Sequence, residues 1–520
     1  MNDLRLYLKK ISKFLFNRIM YVIVAIVTQV AWVVVQFVRL AGYSTYIQIA
    51  LTVISIIVVL FVINQDINPS YKLLWTFLIL ALPIFGLVFF LLVGETRRTS
   101  SVDRRYNRVV KKEPVIFNED EGARKRLETL DPGAFRQSAY IRNATGSPLM
   151  QSTQARYFAS GEDLLPVMQE EIGKAKHYIF IEFFIIRDGF MWESILKVLE
   201  KKAREGVDVR IIYDDFGCMT TLPVRYYETL RQKGIRCEVF NRFHFLANIV
   251  HNNRDHRKLC IIDGHTGITG GINLSDEYIN QDRRFGHWKD TALLLKGDAV
   301  WNLTVMFLQM WNVVTKTDDD IPYGEYLPDR YLSRPFDSEG FFQPFADSPL
   351  DKEAVGANVY LNILAQARKY VYIYTPYLIV DSEMRNALCL AAKSGVDVRI
   401  ITPGIPDKKL VFLLTQSYFG NLVKAGVKIY KYKPGFLHAK SFVCDDRIAV
   451  CGTINLDYRS LYLHFEDGVW IYGSHIVSDI KLDFEETLSL CQEVTLQECL
   501  GKKLPVRALQ SVFRVLAPLV

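Results

Sequence analysis

The chain has 520 residues, of which half are hydrophobic, and a formal net charge of +7. That length excludes one ordinary domain and points to three or four units. The hydrophobic share is high for a soluble enzyme, and the net charge favours an anionic surface, lipid or nucleic acid, without choosing between them.

The apolar excess sits in the first hundred residues. Three stretches, residues 19–38, 40–65 and 73–94, carry no charge. Each is about long enough to cross a hydrocarbon core as a helix. A cleaved signal peptide fits poorly, and a buried core helix fails because the stretches are apolar all round. Pro83 predicts a kink in the third. Arg5, Lys9, Lys10, Lys13 and Arg18 precede the first stretch; Arg97, Arg98, Arg104, Arg105, Arg108, Lys111 and Lys112 follow the third. The positive-inside rule puts both flanks in the cytoplasm, which three crossings cannot do; one stretch is re-entrant, or one flank breaks the rule. The second basic run serves as a solvated linker or holds anionic headgroups.

The eight cysteines form no C-x-x-C pair and no zinc-spaced cluster. They read as reduced, mostly buried thiols, which favours a cytoplasmic face for the bulk of the chain. No metal and no cofactor is expected.

From about residue 130, short β-branched and aromatic runs alternate with charged helical segments, an α/β pattern. The second half repeats the first. Residues 175–181 match 367–373, and 206–212 match 395–401. The third match carries the chemistry: His256, Lys258 and Asp263 recur as His438, Lys440 and Asp445, both in the form H-x-K-x-x-x-x-D. At the same interval beyond each histidine stands an asparagine, Asn273 or Asn455, in a G-x-x-N run. Two copies inside a wider duplication are not a chance match.

H-x-K on a strand puts both side chains on one face. The glycine before each asparagine permits a turn that returns the amide beside them. Two halves related by a pseudo-twofold axis then bring two imidazoles, two ammoniums and two amides together. That set suits phosphodiester exchange. Lys258, Lys440, Asn273 and Asn455 clamp the non-bridging oxygens; one imidazole attacks phosphorus while the other protonates the leaving alkoxide. For Asp263 and Asp445, at the far ends of their strands, a turn or salt bridge is at least as good a reading as catalysis. His177, His251 and His265 have no repeated context and are read as ordinary.

The duplicated H-x-K-x4-D with G-x-x-N resembles the signature of the phospholipase D superfamily, over the whole chain from about residue 130. The resemblance implies two α/β lobes sharing one site and a covalent phosphohistidine. By it, His256 is the nucleophile and His438 the general acid, later the base. Glu466 falls where the superfamily places a carboxylate orienting the second-motif histidine, with Asp290 as its first-half counterpart. Within the superfamily, the apolar N-terminus, the run from Gly270 to Tyr278 and the run from Asn455 to Ser460 resemble cardiolipin synthases, which usually carry asparagine where this chain has His464. The implied reaction transfers a phosphatidyl group between two phosphatidylglycerol molecules, giving cardiolipin and glycerol. The expected partners are phosphatidylglycerol, other anionic phospholipids and the membrane, not nucleic acid. The rivals are a hydrolase or nuclease with the same site, and a non-catalytic scaffold, which the two complete motifs argue against.

The expected organisation is a transmembrane helical anchor over 1–95, a basic linker over 96–130, a first lobe over 131–325 and a second over 326–500. An amphipathic segment, 501–520, ends the chain. It lies on the membrane or packs on the second lobe.

Overall fold

The computed structural model describes residues 24–32, 44–65, 67–94, 101–111, 120–242, 253–317, 321–331, 336–337, 339–351 and 353–519. Most of the first apolar stretch, the basic residues Arg5 to Arg18, Arg97, Arg98, Lys112 and His251 lie outside these. The chain divides into two compact units, one holding the described residues up to Gly94 together with residues 512–519, the other running over Ser101–Arg242 and Asn253–Ser511.

In the first unit, one helix among the described residues, Thr45–Ile63, is long and apolar enough to cross a membrane. Its outward residues, Ile49, Val53, Ile57 and Leu60 among them, are exposed. The third stretch differs from a single kinked span. It forms two helices, Pro69–Ala81 and Pro83–Val93, interrupted at Leu82. The second folds back on the first. Trp75 contacts the rings of Phe89 and Phe90 at 5.6 and 5.2 Å, whereas residues that far apart on a straight helix stand about 20 Å apart. Gly86 allows the approach, since a Cβ there would lie 2.3 Å from the Leu78 carbonyl oxygen. Pro83 lacks an N–H, and Gln29 Oε1 accepts from the next two, Ile84 and Phe85, at 3.0 and 3.4 Å. The orphan donors of the second arm are thereby capped at the tip of a hairpin.

The second unit contains the two lobes. The first lobe contributes β1 (Thr153–Phe158), β2 (Tyr178–Phe183), β3 (Asp208–Asp214), β4 (Arg236–Phe240), β5 (Arg254–Asp255), β6 (Lys258–Ile262), β7 (Thr266–Gly270), β8 (His287–Lys289) and β9 (Ala292–Gly297). Its sheet has the order β1-β9-β7-β6-β2-β3-β4. The second contributes β10 (Phe341–Asp347), β11 (Tyr370–Tyr374), β12 (Leu378–Ile379), β13 (Asp397–Pro403), β14 (Lys428–Tyr432), β15 (Gly435–Leu437), β16 (Ser441–Cys444), β17 (Ile448–Gly452), β18 (Leu456–Asp457), β19 (His464–Tyr472) and β20 (Cys491–Glu493). Its sheet repeats the order, β10-β19-β17-β16-β11-β13-β14, and adds β20. In each of these two sheets three neighbouring strands run parallel and the remaining pairings are antiparallel. The apolar helix Val300–Thr315 packs against strands of both lobes, and one core cluster runs through both. Within the segment read as a linker, Ser101–Lys111 is a helix whose Tyr106 is buried against Phe465.

The two short strands β5 and β8 leave their own lobe. β5 pairs with the start of β19, and β8 pairs with β15. Each crosses to the other half directly beside a motif histidine.

Asp263 and Asp445 stand in turns, the reading that the sequence left open beside catalysis. Both have positive φ, 48° and 53°, in the hairpins after β6 and β16. The Asp263 carboxylate accepts from the N–H groups of Lys176, His177 and Tyr178 at 2.8, 2.8 and 2.9 Å. Asp445 does the same for Arg368, Lys369 and Tyr370 at 2.7, 2.8 and 2.9 Å. Each ties the turn to the start of the lobe's central strand. Asp263→Ala and Asp445→Ala will each cost about 2 kcal/mol of stability, read by denaturant melts, because buried charge-assisted bonds are lost. Activity per folded molecule will stay near wild type; a selective loss of turnover would return these residues to the chemistry.

Candidate active site

The motif does not lie on one continuous strand. His256 sits in the break between β5 and β6, and His438 between β15 and β16. The break is where the chain changes partners, from a strand of the other lobe to its own sheet. At that point the His256 N–H donates to the Phe465 carbonyl at 2.9 Å, and the His438 N–H to that of Lys289 at 2.7 Å.

The carboxylates are therefore crossed relative to the sequence expectation. Glu466 of the second lobe holds His256 of the first, with Nδ1 2.8 Å from Oε2 and 3.0 Å from Oε1. Asp290 of the first lobe holds His438 of the second, with Nδ1 2.7 Å from Oδ2. The reason is the strand exchange: each carboxylate follows the residue whose carbonyl takes the opposite histidine's backbone N–H. Gly271 makes room for one of them, since a Cβ there would stand 2.0 Å from Asp290 Oδ1.

All six groups are buried. Lys258 Nζ donates to the His256 carbonyl at 2.6 Å, and Lys440 Nζ donates to that of His438. Lys440 Nζ also stands 2.7 Å from His438 Nδ1. The ring nitrogen cannot serve both Lys440 and Asp290; the carboxylate takes the Nδ1–H, and the ammonium keeps the carbonyl. With Nδ1 protonated in both rings, each Nε2 carries a free lone pair.

Asn273 and Asn455 differ. Asn273 is locked, its Oδ1 accepting from the Ile185 N–H at 3.0 Å and its Nδ2 donating to Tyr278 Oη at 2.7 Å. Asn455 Oδ1 is buried without a hydrogen-bond partner among the described residues. Beneath the first motif lies a charge network that the sequence reading missed. Arg257, the variable residue of H-x-K, pairs with Glu182 at 2.6 Å and Asp255 at 3.1 Å. Only the repeat offset marks it, because the second motif has Ala439 at that position.

Burial and the two lysines set the charge states. Burial holds His256 well below the ordinary imidazole range, and Lys258, Lys440, His438 and Lys408 push the same way. Burial, then Lys440, brings His438 down to about 4, against the pull of Asp290. Lys258 is lowered to about 8 and Lys440 to about 7 by burial, although Glu466 and Asp290 oppose it. Burial pushes the Asp290 carboxyl up, but Lys440 and His438 outweigh it and hold it below its usual value. At neutral pH both imidazoles are uncharged.

Among the described residues, His256, His464 and Glu466 place ligand atoms within 4.8 Å of one another, close enough to hold an ion. Arg459 argues against that use: its Nε donates to His464 Nε2 at 3.2 Å, which leaves the proton on Nδ1. Zinc or a similar ion would need that atom bare.

An unfolded histidine takes its proton near 6.5, whereas folded His438 resists until about 4. As pH falls through that window the unfolded chain binds a proton that the folded one refuses. Stability present above 6.5 is thus lost toward 4. Thermal melts of wild type and His438→Gln will show the variant declining less steeply across that range. Equal slopes would mean that the ring titrates normally.

A family profile described as "Cardiolipin synthase, PLD-like domain" matches residues 168–311 and 360–488. A second, "Phospholipase_D-nuclease N-terminal", matches residues 50–95. An uncharacterized protein of Streptococcus mutans serotype c is 42% identical over 464 residues, covering 89% of this chain and 99% of that one. A cardiolipin synthase of Geobacillus sp. strain WCH70 is 34% identical over 471 residues, covering 89% of this chain and 92% of that one. The crystal structure of phosphatidylserine synthase from Haemophilus influenzae Rd KW20 covers 74% of this chain and 100% of its own, with a TM-score of 0.57 at 14% identity, a likeness of fold. Kinship this broad reaches both lobes and both motifs, and the chain belongs to the PLD-like cardiolipin synthase family.

Proposed function

We propose that this chain is a membrane-anchored phosphatidyltransferase that converts two phosphatidylglycerol molecules into cardiolipin and glycerol. The observation that carries the reading is the pair of crossed dyads. Each motif histidine is held at Nδ1 by a carboxylate of the other lobe, which leaves both Nε2 atoms free for chemistry.

In the first step His256 Nε2 attacks phosphorus, forming a P–N bond. His438, protonated at Nε2, gives that proton to the departing glycerol oxygen as the P–O bond breaks. The resting rings are neutral because burial and two ammoniums disfavour a third cation. A bound phosphodiester brings a negative charge that restores the proton to His438. In the second step neutral His438 takes the proton of a glycerol hydroxyl on the second phosphatidylglycerol. Its oxygen attacks phosphorus, and His256 leaves with its lone pair. Lys258 and Lys440 offset the charge that builds on the non-bridging oxygens. Glu466 stabilises the cationic phosphoryl-imidazole through Nδ1–H, and Asp290 does so for the His438 imidazolium. Water must be kept from the intermediate, since its attack would give phosphatidic acid.

The hairpin supports a topology. With the helix Thr45–Ile63 crossing and the hairpin entering and leaving by one face, the end of that helix and the basic run after the hairpin lie on one side, which the positive-inside rule makes cytoplasmic. The lobes follow that run there. A lipid substrate also suits the C-terminal helix Leu504–Leu516. It is held to the second lobe by a Gln510 Nε2 bond to the Leu413 carbonyl at 3.0 Å, while Leu504 and Leu509 remain exposed beside Lys503 and Arg507.

Purified enzyme in mixed micelles, given labelled phosphatidylglycerol, will yield cardiolipin plus glycerol; His256→Ala and His438→Ala will each lose at least about a thousand-fold in rate. Phosphatidic acid as the main product would make the chain a hydrolase. Cleavage of nucleic acid but of no phospholipid would make it a nuclease. For topology, single cysteines in a cysteine-free background will be labelled from outside intact cells within residues 39–43 but not within 95–100. Outside labelling at 95–100 would turn the hairpin into a full crossing.

A further inference from the structure

The two dyads are built on one plan, yet one residue breaks their symmetry. Two positions before each carboxylate, a ring faces the histidine of the other lobe. Before Asp290 this is Trp288, centred 5.5 Å from His438. Before Glu466 it is His464, centred 5.5 Å from His256. Among the described residues Trp288 Nε1 has no hydrogen-bond partner, and Asp290 draws nothing from it. His464 is different in kind. Its Nδ1 stands 3.6 Å from Glu466 Oε1 and, buried, has no hydrogen-bond partner among the described residues.

Arg459 decides which nitrogen carries the proton. It sits in the short helix Tyr458–Tyr462, and its Nε lies 3.2 Å from His464 Nε2. A guanidinium does not deprotonate in a protein, so Nε is always a donor and Nε2 must accept. The proton of a neutral His464 is then confined to Nδ1, on the Glu466 side. Burial drives His464 down to about 3, so the ring stays neutral across the working pH range. Glu466 thus faces two N–H groups on imidazoles, His256 at hydrogen-bond distance and His464 just beyond it.

We propose that His464, locked in one tautomer by Arg459, is a positioning residue that offers Glu466 a second N–H and thereby sets the orientation and basicity of His256. The second donor acts on Oε1, which stands 3.0 Å from His256 Nδ1 and 3.6 Å from His464 Nδ1, while Oε2 is the nearer to His256 at 2.8 Å. It also withdraws charge from Glu466, which keeps His256 from holding a proton at Nε2 before attack. On the Asp290 side the second oxygen, Oδ1, accepts instead from the backbone N–H of Thr291 at 2.8 Å, so the two dyads differ in where the second donor comes from, the main chain in one and the His464 ring in the other. No atom of His464 is required to touch substrate.

The inference rests on the reading of His256 as a group that attacks phosphorus, and the assay separates the two. Transfer from phosphatidylglycerol is measured beside release of p-nitrophenolate from a p-nitrophenyl phosphodiester, which reports the first step whatever the natural acceptor. His464→Leu will lower kcat roughly ten-fold, the effect of losing one oriented donor, with KM little changed. The acidic limb of its pH profile will move to higher pH, because a carboxylate that no longer shares its charge with a second N–H favours the protonated His256 imidazole. The charged groups facing His256 are Lys258 from its own lobe and Glu466, Lys440 and Lys408 from the other, with His438 opposite. The substitution changes none of them. His464→Asn, whose amide can donate to Glu466, will restore both rate and profile. Arg459→Met will shift wild type in the same direction as His464→Leu but leave His464→Asn nearly unaffected, since an amide needs no tautomer lock. A wild-type profile in His464→Leu overturns the inference. So does a loss of rate that tracks a fall in thermal midpoint, with the pH profile unmoved and no rescue by asparagine. Failure of the wild type to turn over either substrate overturns the reading of the site itself.

Discussion

Everything at this site depends on two short strand pairings that cross between the lobes. β5 lies against the start of β19, and β8 against β15. A β-ladder fixes register to a single residue, and a slip of one would turn every side chain to the opposite face. The exchange therefore places Phe465 and Lys289 carbonyls on the His256 and His438 N–H groups, and the next residue along the chain from each is the carboxylate that holds that histidine's ring. Neither lobe contains a complete dyad. Each needs the other's strand, so lobe association and site assembly are one event.

This construction buries charge at a cost that the fold offsets elsewhere. Two lysines, two carboxylates and two histidines lie out of solvent. Taken singly, each such group would cost several kcal/mol, and only mutual pairing makes them tolerable. Around them the chain adds further interlobe pairs. Lys289 Nζ meets Asp483 Oδ1 at 2.5 Å, and Thr269 Oγ1 donates to Asp467 Oδ2 at 2.5 Å. The apolar helix Val300–Thr315 supplies the opposite kind of adhesion, packing strands of both lobes into a shared core. Depressed imidazoles and ammoniums are the consequence of this design, and they keep the resting site free of excess positive charge until an anion enters.

Duplication gives a symmetric scaffold, but phosphoryl transfer requires two imidazoles in opposite roles. The differences between the halves are thus where the roles are decided. Arg257 with Glu182 and Asp255 underlies one motif, while Ala439 stands in the other. Tyr278 engages Asn273, while Asn455 Oδ1 has no partner among the described residues. His464 and Trp288 differ in the same way. Each is a local substitution on an otherwise repeated backbone.

The repeat, the α/β class, both histidines, both lysines and the apolar N-terminus were all legible in the amino-acid sequence, because they depend on residue type and spacing along one strand or helix. Asp263 and Asp445 were legible only as alternatives, since an aspartate at a strand end serves a turn or a site equally well until its partners are known. The crossing of Glu466 to His256 and Asp290 to His438 was not legible. A sequence gives intervals within a half, and nothing in an interval tells which half a carboxylate will face. The fold-back of Pro83–Val93 onto Pro69–Ala81 was hidden for a related reason: a proline announces an interruption but not its angle, which is set by what Trp75, Gly86 and Gln29 can pack against. Local chemistry was determined by the sequence itself; partnership across the molecule was decided only when distant strands met, because hydrogen-bond geometry and burial exist only between groups brought together in space.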